Sequence, residues 1–159
     1  MLIITPKLAI QFARLSGFSP IITTASLSNS DLVKSLGATH VIDRNTPASA
    51  FASQIASVTT KPIALVYDAV SAPETQQLGY DVLTEGGHII LVLPPSINEI
   101  PRSTKKVLGA FGSMYQPANK AFGRTLAQNL PALLEAGDIV VRIFLVSRRG
   151  GASLTRTFC

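Results

Sequence analysis

The chain has no tryptophan, only two histidines, and a single cysteine, Cys159, which is its last residue. One cysteine forms no internal disulfide. That goes with a reducing compartment, and a cytoplasmic protein is expected. His40, His88 and one terminal thiol assemble no tetrahedral Cys/His set, so no metal is expected. A Gly-x-Ser-x-Gly elbow is also missing, which leaves serine hydrolysis unsupported. Charge is scarce: 14% of residues, against about 25% in an average soluble chain. With 47% hydrophobic residues the chain carries enough apolar surface to offset ordering entropy, which excludes a disordered chain. No apolar run approaches the ~20 residues that cross a bilayer. Ile89–Leu93 is short, and Ile139–Val146 is interrupted by Arg142. No membrane is expected as a partner. The opening Met-Leu-Ile-Ile has no basic segment before it, and Pro6 and Lys7 follow at once, so no cleaved leader is expected either.

What charge there is lies unevenly. Over 1–138 there are 10 Lys and Arg and 9 Asp and Glu, a net of +1. Beyond 138 come Arg142, Arg148, Arg149 and Arg156 with no acid. The basic character belongs to a tail, 143–159, and the body is neutral. A nucleic-acid binder carries a basic face with aromatic or motif support, so no nucleic-acid partner is expected. The length of 159 residues fits one domain, placed at 1–142.

Short β-rich runs alternate with helical periods. Pro20–Thr24, Thr39–Asp43, Ile63–Asp68 and His88–Leu93 read as strands, with weaker candidates at Lys106–Phe111 and Ile139–Val141. Continuous apolar strands suggest burial on both faces, as in a parallel sheet covered by helices. A helix is predicted over Lys7–Ser16, with Leu8, Phe12 and Leu15 inward and Gly17 closing it. Another runs over Asp31–Leu36, capped by Ser30 and ended by Gly37. Thr46-Pro47 opens a third, with the stripe Phe51, Ile55 and Val58. A fourth runs from Pro73 to Gly86-Gly87, with Leu78 and Val82 inward. The fifth, Asn119–Ala136, carries Phe122, Leu126, Leu130 and Leu134, and a kink is expected at Pro131. The fold class predicted is α/β: Rossmann-like, a mostly parallel sheet of about five to six strands with helices on both faces.

Three stretches then fall in order: Leu36-Gly37-Ala38-Thr39-His40-Val41-Ile42-Asp43, Tyr67-Asp68-Ala69-Val70, and Leu83-Thr84-Glu85-Gly86-Gly87-His88-Ile89-Ile90-Leu91-Val92. This succession resembles the cofactor domain of the medium-chain dehydrogenases/reductases over about residues 7–142. The nearest branch is the zinc-independent one, the quinone oxidoreductases and fungal trans-acting enoyl reductases. The resemblance implies a sheet of strand order 3-2-1-4-5-6 that binds NADP(H) at its switch point. It also implies an N-terminal barrel-like domain and a glycine-rich phosphate loop after the first strand. No counterpart to that domain is expected in this chain, which carries no glycine before Gly17. Leu2–Ile4 is left as a stub of the first strand. The chain is therefore expected to be truncated at both ends.

The end of the second family strand is where the adenosine ribose sits. An acid there accepts from the 2′-hydroxyl and repels a 2′-phosphate. Here the chain reads Thr24-Ala25-Ser26-Leu27-Ser28-Asn29, with no acid until Asp31, which favours NADP(H). The resemblance places Ser26 and Asn29 against the phosphate; the alternative is that Ser28, Asn29 and Ser30 are helix caps. Arg44 follows the third strand, where a guanidinium pairs a phosphate or stacks on a base, or stands as an exposed loop residue. Ala69 and Val70 end one strand and leave room for a flat ring, while backbone groups near Leu93 suit a carboxamide. The alternative for each is an ordinary strand end. Gly112 and Ser113 are weaker candidates. Tyr67 and Tyr80 read as packing residues, and no catalytic acid is named.

Two functions remain open. The resemblance implies an NADPH-dependent oxidoreductase domain that aligns hydride transfer to an activated C=C or carbonyl, weakened by the missing loop. The alternative is a non-catalytic Rossmann-like module that self-associates through exposed apolar surface. The partners expected are accordingly the cofactor and a second copy of the chain.

Overall fold

The computed structural model describes residues 1–4, 6–98, 101–145 and 154–157. Two compact units divide the chain, Met1–Phe111 and Gly112–Cys159.

The first unit is built on a parallel sheet of six strands. These are β1 (Leu2–Ile4), β2 (Ile22–Ala25), β3 (His40–Asp43), β4 (Ile63–Asp68), β5 (Leu83–Leu91) and β6 (Lys106–Gly109), in spatial order β3-β2-β1-β4-β5-β6. Every neighbouring pair is parallel. The three apolar residues of β1 are buried on both faces, as a central strand requires. The stub thus forms the middle of the sheet: Ile4 stands opposite Thr24 on one side and Asp68 on the other.

Four helices connect these strands: α1 (Lys7–Leu15), α2 (Ser30–Ser35), α3 (Ala48–Val58) and α4 (Pro73–Val82). Side chains alternate across a strand. Leu2, Ile4, Ile22, Ile42, Val66, Ile89 and Leu91 join Phe51 and Ile55 of α3 and Tyr80 of α4 in one core cluster. Ile3 and Thr23 face the other way and are also buried, as are Ile10 and Ala13 of α1 and Val33 of α2. The stripe expected on α3 is the one buried, and Tyr80 is a packing residue at 1% exposure.

Several element boundaries and faces differ from expectation. On α1, Leu8 and Leu15 are exposed, and Ile10 and Ala13 are buried. Only Thr5 and Pro6 stand between β1 and this helix. The buried side of the helix is Ile10, Gln11 and Ala13. Its closure is as expected: Gly17, at φ +74, donates to Arg14 O and Phe18 donates to Ala13 O, a Schellman pair. Helix α4 stops at Val82, not at Gly86-Gly87, because Leu83 already pairs with Ile63 and is buried. The register then shifts between Ile63 and Leu65, and Gly86, at φ +74, carries the irregular stretch. Ser30 is the first residue of α2 rather than its cap, Pro47 takes the cap position of α3, and β6 ends at Gly109.

In the second unit α5 spans Pro117–Glu135 and continues through Pro131. Phe122 on it is 71% exposed. The strand expected at Ile139–Val141 begins later: β7 (Arg142–Leu145) pairs antiparallel with β8 (Leu154–Thr157). The remainder of the expected tail, 146–153 and 158–159, lies outside the described residues.

Candidate functional site

In an all-parallel sheet the carboxyl ends of the strands share one edge. At a switch of strand order the two adjoining connections leave in opposite directions and open a crevice there. Here β1 is that point: the order runs β1-β2-β3 to one side and β1-β4-β5-β6 to the other.

On the β2–β3 flank, Ser26 follows β2 directly and is half-buried. Asn29 is exposed and turns back on it, its amide donating to Ser26 O at 2.8 Å. Arg44 follows β3, with its side chain exposed, and its amide donates to Ala25 O at 3.0 Å. These three are brought together. Neither Ser26 nor Asn29 makes a side-chain cap bond, although each occupies a cap position. The Ser26 hydroxyl instead pairs with the Ser28 hydroxyl at 3.0 Å, on the exposed surface.

On the β4–β5 flank, Ala69 follows β4 and its amide donates to Ile4 O at 3.2 Å, at the end of β1. Val70 is 45% exposed beside it, and Leu93, two residues past β5, is 53% exposed. Gly112 and Ser113 belong to the second unit.

Beneath this flank lies a buried polar network that the residue-by-residue reading missed. Asp68, the last residue of β4, has no exposed surface. Its Oδ1 accepts from the Val70 and Ser71 amides at 2.9 and 2.8 Å, and its Oδ2 from the Thr75 hydroxyl at 2.7 Å. Ser71, held at φ +51, donates its hydroxyl to Asp68 O and accepts from the Val92 amide at 3.0 Å. Gln76, 1% exposed, donates Nε2 to Ser71 O and Pro94 O at 2.9 and 3.1 Å, and its Oε1 accepts from the Ser96 amide at 2.7 Å. An aspartate ending an apolar strand, with Ser and Thr three and seven residues on, is a local turn signal that was there to be read. Nothing local marks Gln76.

The other acid held by several donors is remote from this edge. Glu85, near the start of β5, accepts from the Thr104 amide and hydroxyl at 2.7 Å each and from the Ser103 hydroxyl. The Thr104 bonds, backbone first, hold its carboxyl below the usual glutamate range. An open cavity of about 630 Å³ lies between α3, α4 and residues 96–98, and none of the six expected site residues lines it. Among the described residues no three His, Cys, Asp or Glu side chains gather, so their donor set does not fit a zinc ion.

Residues 7–119 match the family model described as zinc-binding dehydrogenase. The chain belongs to this family. The medium-chain dehydrogenase/reductase resemblance read from the motifs is thereby borne out. This dehydrogenase-family chain is 37% identical over 103 residues to a trans-enoyl reductase of Fusarium heterosporum, covering 65% of the chain and 28% of that relative. To a trans-enoyl reductase of Alternaria alternata it is 33% identical over 129 residues, covering 80% and 34%. Among solved structures it is similar to a putative zinc-dependent alcohol dehydrogenase protein of Rhizobium etli (TM-score 0.73, 25% identity, 87% of this chain and 43% of that one). It also shares its fold with a mycobacterial protein complexed with NADPH (TM-score 0.67, 22% identity, 90% and 47%). The dehydrogenase-family chain thus spans about a third of the length of the curated relatives it matches. No described helix is long and apolar enough to cross a membrane.

Proposed function

We propose that the chain is the NADP(H)-binding part of an oxidoreductase that passes hydride to an activated C=C or a carbonyl, with no zinc-dependent step of its own. The observation that carries this reading is the reversal of strand order at β1, with Ser26, Asn29 and Arg44 next to the ends of β2 and β3 and Ala69, Val70 and Leu93 just past the ends of β4 and β5. Between Ala25 and Asp31 there is no carboxylate, and the hydroxyl and amide groups there are not used as caps. Such donors suit a 2′-phosphate, with Arg44 supplying a full positive charge. On the other flank small side chains leave space for a flat ring, and the backbone near Leu93 offers groups to a carboxamide.

NADPH, when bound, supplies the hydride; this chain's residues orient it and keep water from one side. The names of the trans-enoyl reductase relatives favour an enoyl substrate. A cytoplasmic location goes with this reading, since one cysteine leaves no internal disulfide. Affinity is reduced by the entry to α1. With only Thr5 and Pro6 after β1, and no N–H on Pro6, few backbone donors meet a diphosphate. At about 1.5–3 kcal/mol per charged hydrogen bond, losing two turns micromolar affinity into roughly millimolar.

Calorimetric titration of the full chain tests this. NADPH is expected to bind at about 0.1–1 mM and at least about tenfold tighter than NADH. Ser26→Ala and Arg44→Ala should each weaken NADPH more than NADH. Equal affinity for the two cofactors in the wild type, or an equal loss of both in the variants, overturns the assignment.

A second reading is self-association, in place of catalysis or beside it. Edge strand β6 carries Leu108, 44% exposed, and Phe111 beyond it is 70% exposed. Both lie where a second copy could pair. A mass that rises with concentration on sizing, without cofactor binding, favours this alternative.

A further inference from the structure

Past Leu91 the chain leaves the sheet, and residues 92–96 are exposed with no strand partner. A loop of this kind satisfies its backbone groups with water at little cost. Here it does not. The Pro94 carbonyl and the Ser96 amide both turn inward to one side chain, Gln76 in the first turn of α4, and the Val92 amide turns to Ser71. A primary amide offers two N–H donors and a carbonyl oxygen. Both donors of Gln76 and its oxygen are engaged, across 5, 18 and 20 residues of sequence. Glutamate has no donors for the two carbonyls, and an apolar residue has neither donor nor acceptor. Burying an amide is expensive unless it is fully bonded. Dedicating one to backbone groups that water would otherwise serve makes sense where the loop must be held in one place.

We propose that Gln76 is a positioning residue: through Ser71, Pro94 and Ser96 it fixes the loop carrying Leu93 at the edge of the crevice and so sets the backbone that meets the nicotinamide end of the cofactor. This rests on the cofactor reading above. The Asp68–Ser71 turn anchors the same loop from the β4 side through the Val92 amide, so the flank is held at two points.

The test uses the full chain with Gln76→Met, near in volume but without the amide. Amide hydrogen exchange at Ser96 is expected to accelerate by about tenfold or more, while the amides of β2 stay protected. NADPH affinity is expected to fall about tenfold. The affinity for adenosine 2′,5′-bisphosphate, which reaches only the β2–β3 flank, should change less than about twofold. A merely structural role weakens both ligands together. Unchanged exchange at Ser96, or equal loss of both ligands, overturns the inference. Where Gln76→Met does not fold, Ser96→Pro removes the same amide from the loop side, and the same split between the two ligands is expected. A wild-type chain that binds neither ligand overturns the cofactor reading itself, an outcome distinct from a variant that loses both equally.

Discussion

Asp68 is the residue whose loss should be felt most sharply at the candidate site. Replacing it with alanine removes the acceptor for the Val70 and Ser71 amides and for the Thr75 hydroxyl. Val70 is 45% exposed, so water can take over its amide; Ser71 is 3% exposed and its amide is left with nothing. Thr75 keeps a second acceptor, Ala72 O at 3.0 Å. The loss is then roughly one fully buried charged hydrogen bond and two partly rescued ones, about 3–4 kcal/mol at 1.5–3 kcal/mol for each unrescued bond. Asp68→Asn keeps one carbonyl oxygen in the Oδ1 position, where both amides point, and should cost about 1–2 kcal/mol. With no tryptophan, urea unfolding is followed by far-UV circular dichroism at low temperature, and the midpoint should shift at constant slope. A loss below about 1 kcal/mol for Asp68→Ala, or equal losses for the two variants, refutes the hydrogen-bond account of this turn.

Two further variants probe the frame around the site. Glu85→Gln should remove an acid-dependent tie between β5 and β6. Because hydrogen bonds from Thr104 lower the folded-state pKa, the stabilisation is present above the ordinary glutamate range and is lost as pH falls through the lowered value. Relative to the intrinsic rate, which itself falls on acidification, the Thr104 amide should therefore lose protection at low pH in the wild type and show no such pH-dependent loss in the variant; parallel protection profiles count against it. Gly79→Ala places a methyl group 2.9 Å from Val66 Cγ1 and 3.0 Å from Ile89 Cδ1, between α4 and the sheet. Helix propensity favours alanine by about 1 kcal/mol, but overpacking typically costs about 1–3, so a net loss of up to about 2 kcal/mol in urea titration is expected, and a stabilised variant contradicts it.

Much of the fold was legible because its signals are local. Ile63–Asp68 and Ile89–Leu91 are apolar runs bounded by turn residues, and the stripe of Phe51 and Ile55 repeats at helical spacing and is buried. The misreadings came where tertiary contact overrides local pattern. Leu83 continues the period of α4, yet it is drawn into pairing with Ile63, so strand β5 begins where the pattern still reads helix. On α1 the periodicity of Leu8, Phe12 and Leu15 points to one side, yet Leu8 and Leu15 are exposed and the buried residues, Ile10, Gln11 and Ala13, include a glutamine that no apolar stripe reports.

The two flanks of the crevice differed in legibility for the same reason. Ser26, Asn29 and Arg44 are placed by backbone bonds next to strand ends, and a strand end is visible in sequence once the strand is. The flank bearing Ala69 and Leu93 is shaped by side chains that reach 18 to 21 residues along the chain, from Gln76 to Pro94 and Ser96 and from Ser71 to Val92. No periodicity reports such a contact, and a glutamine in the first turn of a helix reads as solvated surface. The difference has a chemical consequence. Where backbone pairing sets the geometry, a side chain can change to suit its ligand and leave the frame intact. Where buried amide and carboxylate groups set it, Asp68, Ser71 and Gln76 constrain the site as strongly as the residues that would touch a ligand there.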